Sequence, residues 1–231
     1  TDITDNAEKG NQHARDAGQP PKKVDCAGCH QTLWEQAQKD GTAKSRPGLG
    51  VVADNIAAYK NSFHARPNAD DKTRPNASCA DCHSTHSFNV PAKGTPQHDQ
   101  FRLGISKSCG EKCHTDQLET YSGSVHGKEI LEEKNAKAAV CSDCHSAHAV
   151  SNSSGDPFKL AVTGQCGSCH EDAFKTYKAT YHGQITTLGY TNTAKCFNCH
   201  GSHDILRVKD PESRVAPENR LNTCRECHNG T

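Results

Sequence analysis

Fourteen cysteines fall into seven pairs, and each pair is followed at once by a histidine: Cys26/Cys29-His30, Cys79/Cys82-His83, Cys109/Cys113-His114, Cys141/Cys144-His145, Cys166/Cys169-His170, Cys196/Cys199-His200 and Cys224/Cys227-His228. Six pairs read C-x-x-C-H, and the one at Cys109 reads C-x-x-x-C-H. Two thiols at this spacing can add across the two vinyl groups of one porphyrin, and the adjacent histidine then reaches the iron from one face. Seven covalently bound haems c are expected. At Cys109 the longer loop must bulge to keep both sulfurs on the vinyls. Histidine fills only 15 of 231 positions, so its recurrence after every pair does not follow from composition. A disulfide framework makes no demand on the residue after each pair. Zinc hairpins give histidine little reason to follow every C-x-x-C.

With seven histidines taken as proximal ligands, eight remain: His13, His64, His86, His98, His126, His148, His182 and His203. The chain has no methionine, so histidine/methionine ligation is excluded and every iron can be bis-histidine. Such an iron leaves no place for a substrate. His64, His126 and His182 stand five residues after Tyr59, Tyr121 and Tyr177, in Y-x4-H. His86, His148 and His203 close C-H-x-x-H. These six are the expected distal ligands, and His13, in preference to His98, is expected to serve the seventh haem. His83 and His86 are too close in sequence to take opposite faces of one porphyrin, so His86 must reach a different haem, and the same holds at His145/His148 and His200/His203.

The elements that position these groups repeat. Y-x4-H, then C-x-x-C-H-x-x-H, then a second cysteine pair with its histidine occurs three times, giving modules over 59–120, 121–176 and 177–231 after an N-terminal tail and first haem over 1–58. We read the four parts as one continuous haem-wrapped unit. Segments starting at His30, His114 and His170 combine good helix formers with early acidic residues at the latter two, and predict helices. Proline-marked loops are expected at 66–67, 74–75, 90–96, 151–157 and 210–217.

Composition constrains the fold. Only 32% of residues are hydrophobic and 5% aromatic, too few to offset chain entropy with an ordinary core. Porphyrins would supply the missing apolar interior, so a mostly irregular, haem-organised fold with short α-helices and little or no β-sheet is expected. The 27 basic and 27 acidic residues balance, giving no sign of nucleic-acid binding. No apolar run of about 18 residues suggests a transmembrane anchor. A start at Thr1 and the lack of methionine suggest a mature product whose signal peptide has been removed.

From Tyr59 to His228 the pattern resembles the multihaem c-type cytochromes of respiratory bacteria and archaea, with their Y-x-x-S-x-H-G and C-x-x-C-H-x-x-H repeats, here Tyr121 to Gly127 and Cys141 to His148. Within that group it looks like the doubled C-x-x-C-H class and like small multihaem cytochromes that polymerise into extracellular conducting filaments. The resemblance implies electron transfer, haem attachment outside the cytoplasmic membrane, and partners that are other copies of the chain joined head to tail, redox proteins or extracellular acceptors. A soluble periplasmic carrier is the alternative. Multihaem reductases are the enzymatic one, but the families it resembles mark a catalytic haem by an unusual proximal ligand or a missing distal histidine. Here all seven motifs end in histidine, so no enzyme is expected.

Overall fold

The structure, a computed structural model, describes residues 25–83 and 90–230. Helices and irregular chain make up the described residues; the sole pairing of extended chain among them is an isolated bridge between Pro67 and Pro75. No helix among them is long and apolar enough to cross a membrane. Few apolar side chains are fully enclosed: Ala37, Tyr121, Ile130, Val140, Val162 and Ala216.

The chain divides into two compact units, 1–89 with 147–150, and 90–146 with 151–231. In the first, α1 (Cys26–Lys39) starts where the Asp25 carboxylate accepts the Gly28 N–H at 2.8 Å and stops before Gly41 at φ +69°. It packs on α2 (Pro47–Lys60), which opens on a proline whose missing N–H costs nothing in a first turn. Gly50 lets the helices approach, since a Cβ there would lie 3.1 Å from Trp34 Cη2. A loop then leads to the one-turn α3 (Cys79–Cys82).

The second unit holds α4 (Pro96–Gly110), α5 (Thr115–Gly123), α6 (Val125–Leu131), α7 (Cys141–His145), α8 (Asp156–Cys169), α9 (Glu171–Ala179), α10 (Tyr181–Thr187), α11 (Cys196–His200) and α12 (Arg220–Arg225). Arg102 of α4 pins the approach to α7: Nε donates to Ala136 O at 2.7 Å, Nη2 to Ala138 O at 2.9 Å, and the guanidinium grips Asp143 through two bonds of 3.1 and 2.8 Å. Burial acts to raise the Asp143 carboxyl, but hydrogen bonds from Arg102 and from Val140 N–H outweigh it and hold the group below its usual range.

Helices follow His114 and His170 as expected, and α1 includes the segment after His30. Two differences stand out. α1, α2, α4 and α8 run 14 or 15 residues, longer than the short helices expected. The loops read at 90–96 and 151–157 end in helix starts, because Pro96 and Pro157 lie in the first turns of α4 and α8. Proline there fixes φ without forfeiting a helical bond.

Candidate functional site

The Y-x4-H motif is a closed local device. Tyr59, Tyr121 and Tyr177 each donate their hydroxyl to the carbonyl two residues before the next cysteine pair: Ala77 O at 2.8 Å, Ala139 O at 2.7 Å and Ala194 O at 3.0 Å. The tyrosine thereby ties the histidine-bearing turn to the cysteine pair 14 or 15 residues beyond that histidine. Between α5 and α6, Ser124 Oγ accepts the Gly127 N–H at 3.0 Å; between α9 and α10, Thr180 Oγ1 accepts that of Gly183 at 3.1 Å. The glycine after His126 or His182 is required by contact, since a Cβ would stand 1.8 Å from Tyr121 O and 2.1 Å from Tyr177 O. Module 1 has Ala65 there and makes a turn, with Ala65 N–H donating to Ser62 Oγ at 3.3 Å.

Two kinds of cysteine pair emerge. Those opening each module begin one-turn helices and are closed by the residue before the second cysteine: Asp81 accepts the Ser78 N–H at 2.6 Å, Asp143 that of Val140 at 2.8 Å, and Asn198 that of Lys195 at 2.9 Å. The later pairs of modules 1 and 2 lie instead at the C-terminal ends of α4 and α8, and their histidines, His114 and His170, cap the helices that follow. Gly110 and Gly167 allow these sharp turns, because a Cβ would meet Leu118 at 2.4 Å and Phe174 at 2.5 Å. This second class, carried by long helices, was not foreseen from the sequence; the glycine after the first cysteine was its available signal.

No disulfide joins any of the fourteen cysteines, all of which are among the described residues. First cysteines of neighbouring motifs hydrogen-bond each other: Cys26 with Cys79, Cys109 with Cys141, Cys166 with Cys196. The bond from Cys109 brings Cys141 down to about 7, and the bond from Cys196 does the same for Cys166. Burial pushes Cys144 up to about 11. Cys144 also feels Cys166 and Cys169, and Cys199 feels Cys224 and Cys227, so the cysteine pairs of the second unit form a ladder in chain order.

Enclosure of the cysteines by the protein chain is uneven. Cys29 and Cys113 are exposed, as are Cys82, Cys169, Cys224 and Cys227. Cys29 stands in the first turn of α1 on its solvent side, because the same turn directs Cys26 towards Cys79. Cys113 lies past the end of α4, in the turn 111–113 that takes up the extra residue of C-x-x-x-C-H. That turn carries the second thiol out of the packed chain. At both pairs the first cysteine is half-buried and the second faces solvent, so protein packing alone does not fix Cys29 or Cys113 as it does Cys144.

Four imidazole pairs stand on this frame. His148 lies over His83 with ring centroids 6.0 Å apart and planes 16° apart. His203 lies over His145 at 6.0 Å and 19°. His126 faces His170 at 6.1 Å, and His182 faces His228 at 6.0 Å. Every pair joins one histidine that follows a cysteine pair with one spare histidine. In both C-H-x-x-H motifs described, the second histidine lies over an earlier motif: His148 over His83, His203 over His145. Burial lowers His126, His145 and His148, and His170, His203 and His83 respectively lower them further, favouring the neutral imidazole that a metal takes.

His30, His64 and His114 hold their motif positions, His30 and His64 half-buried and His114 exposed. His98 sits half-buried on α4, 6.5 Å from the Phe101 ring and with Nδ1 4.0 Å from Asp99. His13 and His86 lie outside the described residues. Among the described residues no group of three or more His, Cys, Asp or Glu side chains is placed to hold a bare metal ion.

The arrangement fits haem. A metal–imidazole bond is about 2 Å long, so two imidazoles on opposite faces of one iron, each adding a ring radius, bring their centroids to about 6 Å. Neither a known protein family, nor a curated protein, nor a solved structure matches the chain.

Proposed function

We propose that this chain binds seven c-type haems through its fourteen cysteines and conducts electrons along them, as the repeating subunit of an extracellular filament in respiratory electron export. The observation that carries the reading is the set of four imidazole pairs at 6.0–6.1 Å, each matching a cysteine-linked histidine with a spare one. Aromatic stacking alone also falls within about 4.5–7 Å, but stacking has no reason to select one histidine of each class every time. A bound haem supplies a one-electron couple. The chain's own residues would hold each haem: the cysteines would attach it by thioether bonds, and the adjacent histidine and a spare histidine would supply the two nitrogen ligands to its iron.

With both faces closed, substrate has no access to iron, and bis-histidine sites with partial exposure have low potentials suited to transfer. The thiol contacts bring neighbouring attachment points together, which would set porphyrin edges close enough for an electron to hop from one to the next. Attachment of haem c places the protein outside the cytoplasm. A few enclosed apolar side chains and a cofactor-organised interior are the same expectation seen from the fold.

Intact mass of the denatured protein tests this reading directly. Seven haems added to the polypeptide, with a reduced spectrum of low-spin c-type character, is the expected result. A mass equal to the bare polypeptide, or one reduced by disulfide hydrogens alone, would overturn it. Six haems would remove the C-x-x-x-C-H site at Cys109 and Cys113 from the set.

A further inference from the structure

Successive modules dock on one another by a two-point contact that occurs twice. In the first unit His148 covers His83, and two residues later Val150 O accepts the N–H of Phe63 at 2.7 Å, Phe63 being the residue before His64. In the second unit His203 covers His145, and two residues later Ile205 O accepts the N–H of Val125 at 2.8 Å, Val125 being the residue before His126. A histidine and the carbonyl two residues beyond it thus enter the preceding module as one plug.

Module 3 has the same socket: His200 corresponds to His83 and His145, and Tyr181, before His182, corresponds to Phe63 and Val125. Among the described residues no imidazole lies over His200 and no carbonyl accepts the Tyr181 N–H. His200 is exposed and Tyr181 is 75% exposed. Seven residues on, on the same helical face, Leu188 is 87% exposed, and Tyr190 beside it is 56% exposed. Module 2 has Glu132 and Lys134 at these two positions. An exposed apolar face in place of charges marks a protein-binding surface. His98 is already seated against Phe101.

We propose that this face of module 3 is a socket for a second copy of the chain, which places a histidine on the open side of the Cys196/Cys199 haem and gives the carbonyl two residues beyond it to the Tyr181 N–H. The inference rests on the haem reading above. A contact in which the histidine of one copy enters the socket of the next is heterologous, and where it does not close it propagates. The imidazole comes from His13 or His86 of the partner subunit, the two spare histidines outside the described residues.

The test uses the full-length protein with its haems, counting spin states by magnetic circular dichroism and association by sedimentation. Wild type should associate, with seven low-spin haems. The double variant Leu188→Glu/Tyr190→Lys should be monomeric with seven haems, one of them high-spin and converted to low-spin by added imidazole. Tyr181→Pro, set against Tyr181→Ala, which loses the same ring and keeps the N–H, isolates that N–H: Thr180 at φ −77°, ψ 161° already suits a following proline, and the first helical position accepts it. It should weaken association by about tenfold, the loss of one hydrogen bond. Of His13→Ala and His86→Ala, the one that removes the plug should pair one-to-one with the double variant, whose plug is intact, and lose its high-spin signal on pairing.

A monomeric double variant with seven low-spin haems would overturn the proposal, as would an associated wild type that keeps a high-spin haem. Absence of haem from the protein would instead overturn the reading on which it rests.

Discussion

Modules 2 and 3 build the same local device and differ in what surrounds it. In both, a tyrosine hydroxyl holds the carbonyl two residues before a cysteine pair, a hydroxyl side chain caps the next helix, and glycine follows the Y-x4-H histidine. The residue before that histidine is bound in module 2, through Val125 N–H to Ile205 O, and open in module 3 at Tyr181. The residue before the opening cysteine pair is buried in both, as Val140 and as Lys195. Lys195 is enclosed with its Nζ bonded to Thr191 O at 2.6 Å and Thr193 O at 2.8 Å. Repetition therefore specifies the histidine-bearing turn, while contacts between modules decide what each turn faces.

The comparison breaks hardest at the shared glycine. Gly127→Ala and Gly183→Ala each drive a Cβ into a backbone oxygen that cannot move aside, and should cost on the order of 3 kcal/mol in denaturant unfolding. Near-neutral effects at both positions would show that the junction is not the close-packed turn described. Alanine already stands at the module 1 position, so Ala65→Gly should change stability little.

Arg102→Ala separates the modules next. It removes the bonds to Ala136 O, Ala138 O and Asp143 that hold the approach to α7, a loss of about 2 kcal/mol for a charge-assisted cluster. The approach to α11 holds itself through Lys195 instead. A change below about 0.5 kcal/mol, the range of ordinary surface substitutions, would contradict the clamp.

The smallest effect is one of pH. Burial pushes the Tyr121 hydroxyl up to about 12, and burial raises Tyr177 as well. A hydroxyl whose folded pKa exceeds its unfolded value of about 10 contributes stability that is complete below about pH 10 and lost as pH rises towards 12. Tyr121→Phe should flatten this part of the stability curve, whereas an unchanged slope between about pH 10 and 12 would assign it to other groups.

Much of the site is legible in the sequence because its local rules are short-range. Cysteine spacing and the threefold Y-x4-H repeat identify the histidines and predict the helices after His114 and His170. The longer spacing before Cys113 likewise announces the turn at 111–113, but spacing says nothing of exposure, and it leaves unseen that Cys29 and Cys113 face solvent. The long helices α4 and α8 are harder to see, since Pro96 and Pro157 signal a loop and a first helical turn equally well. On the haem reading, spacing also requires His148 to serve a haem other than that of His145 but does not say which. That choice depends on how modules stack, and the structure brings His148 to His83.

The spin state of the haems in a His148→Ala variant tests the pairing most directly. Magnetic circular dichroism of the seven-haem protein should show one haem converted to high spin, the one attached at Cys79 and Cys82, with the His145 haem still low-spin. Conversion of the His145 haem, or seven low-spin haems in the variant, would contradict the account.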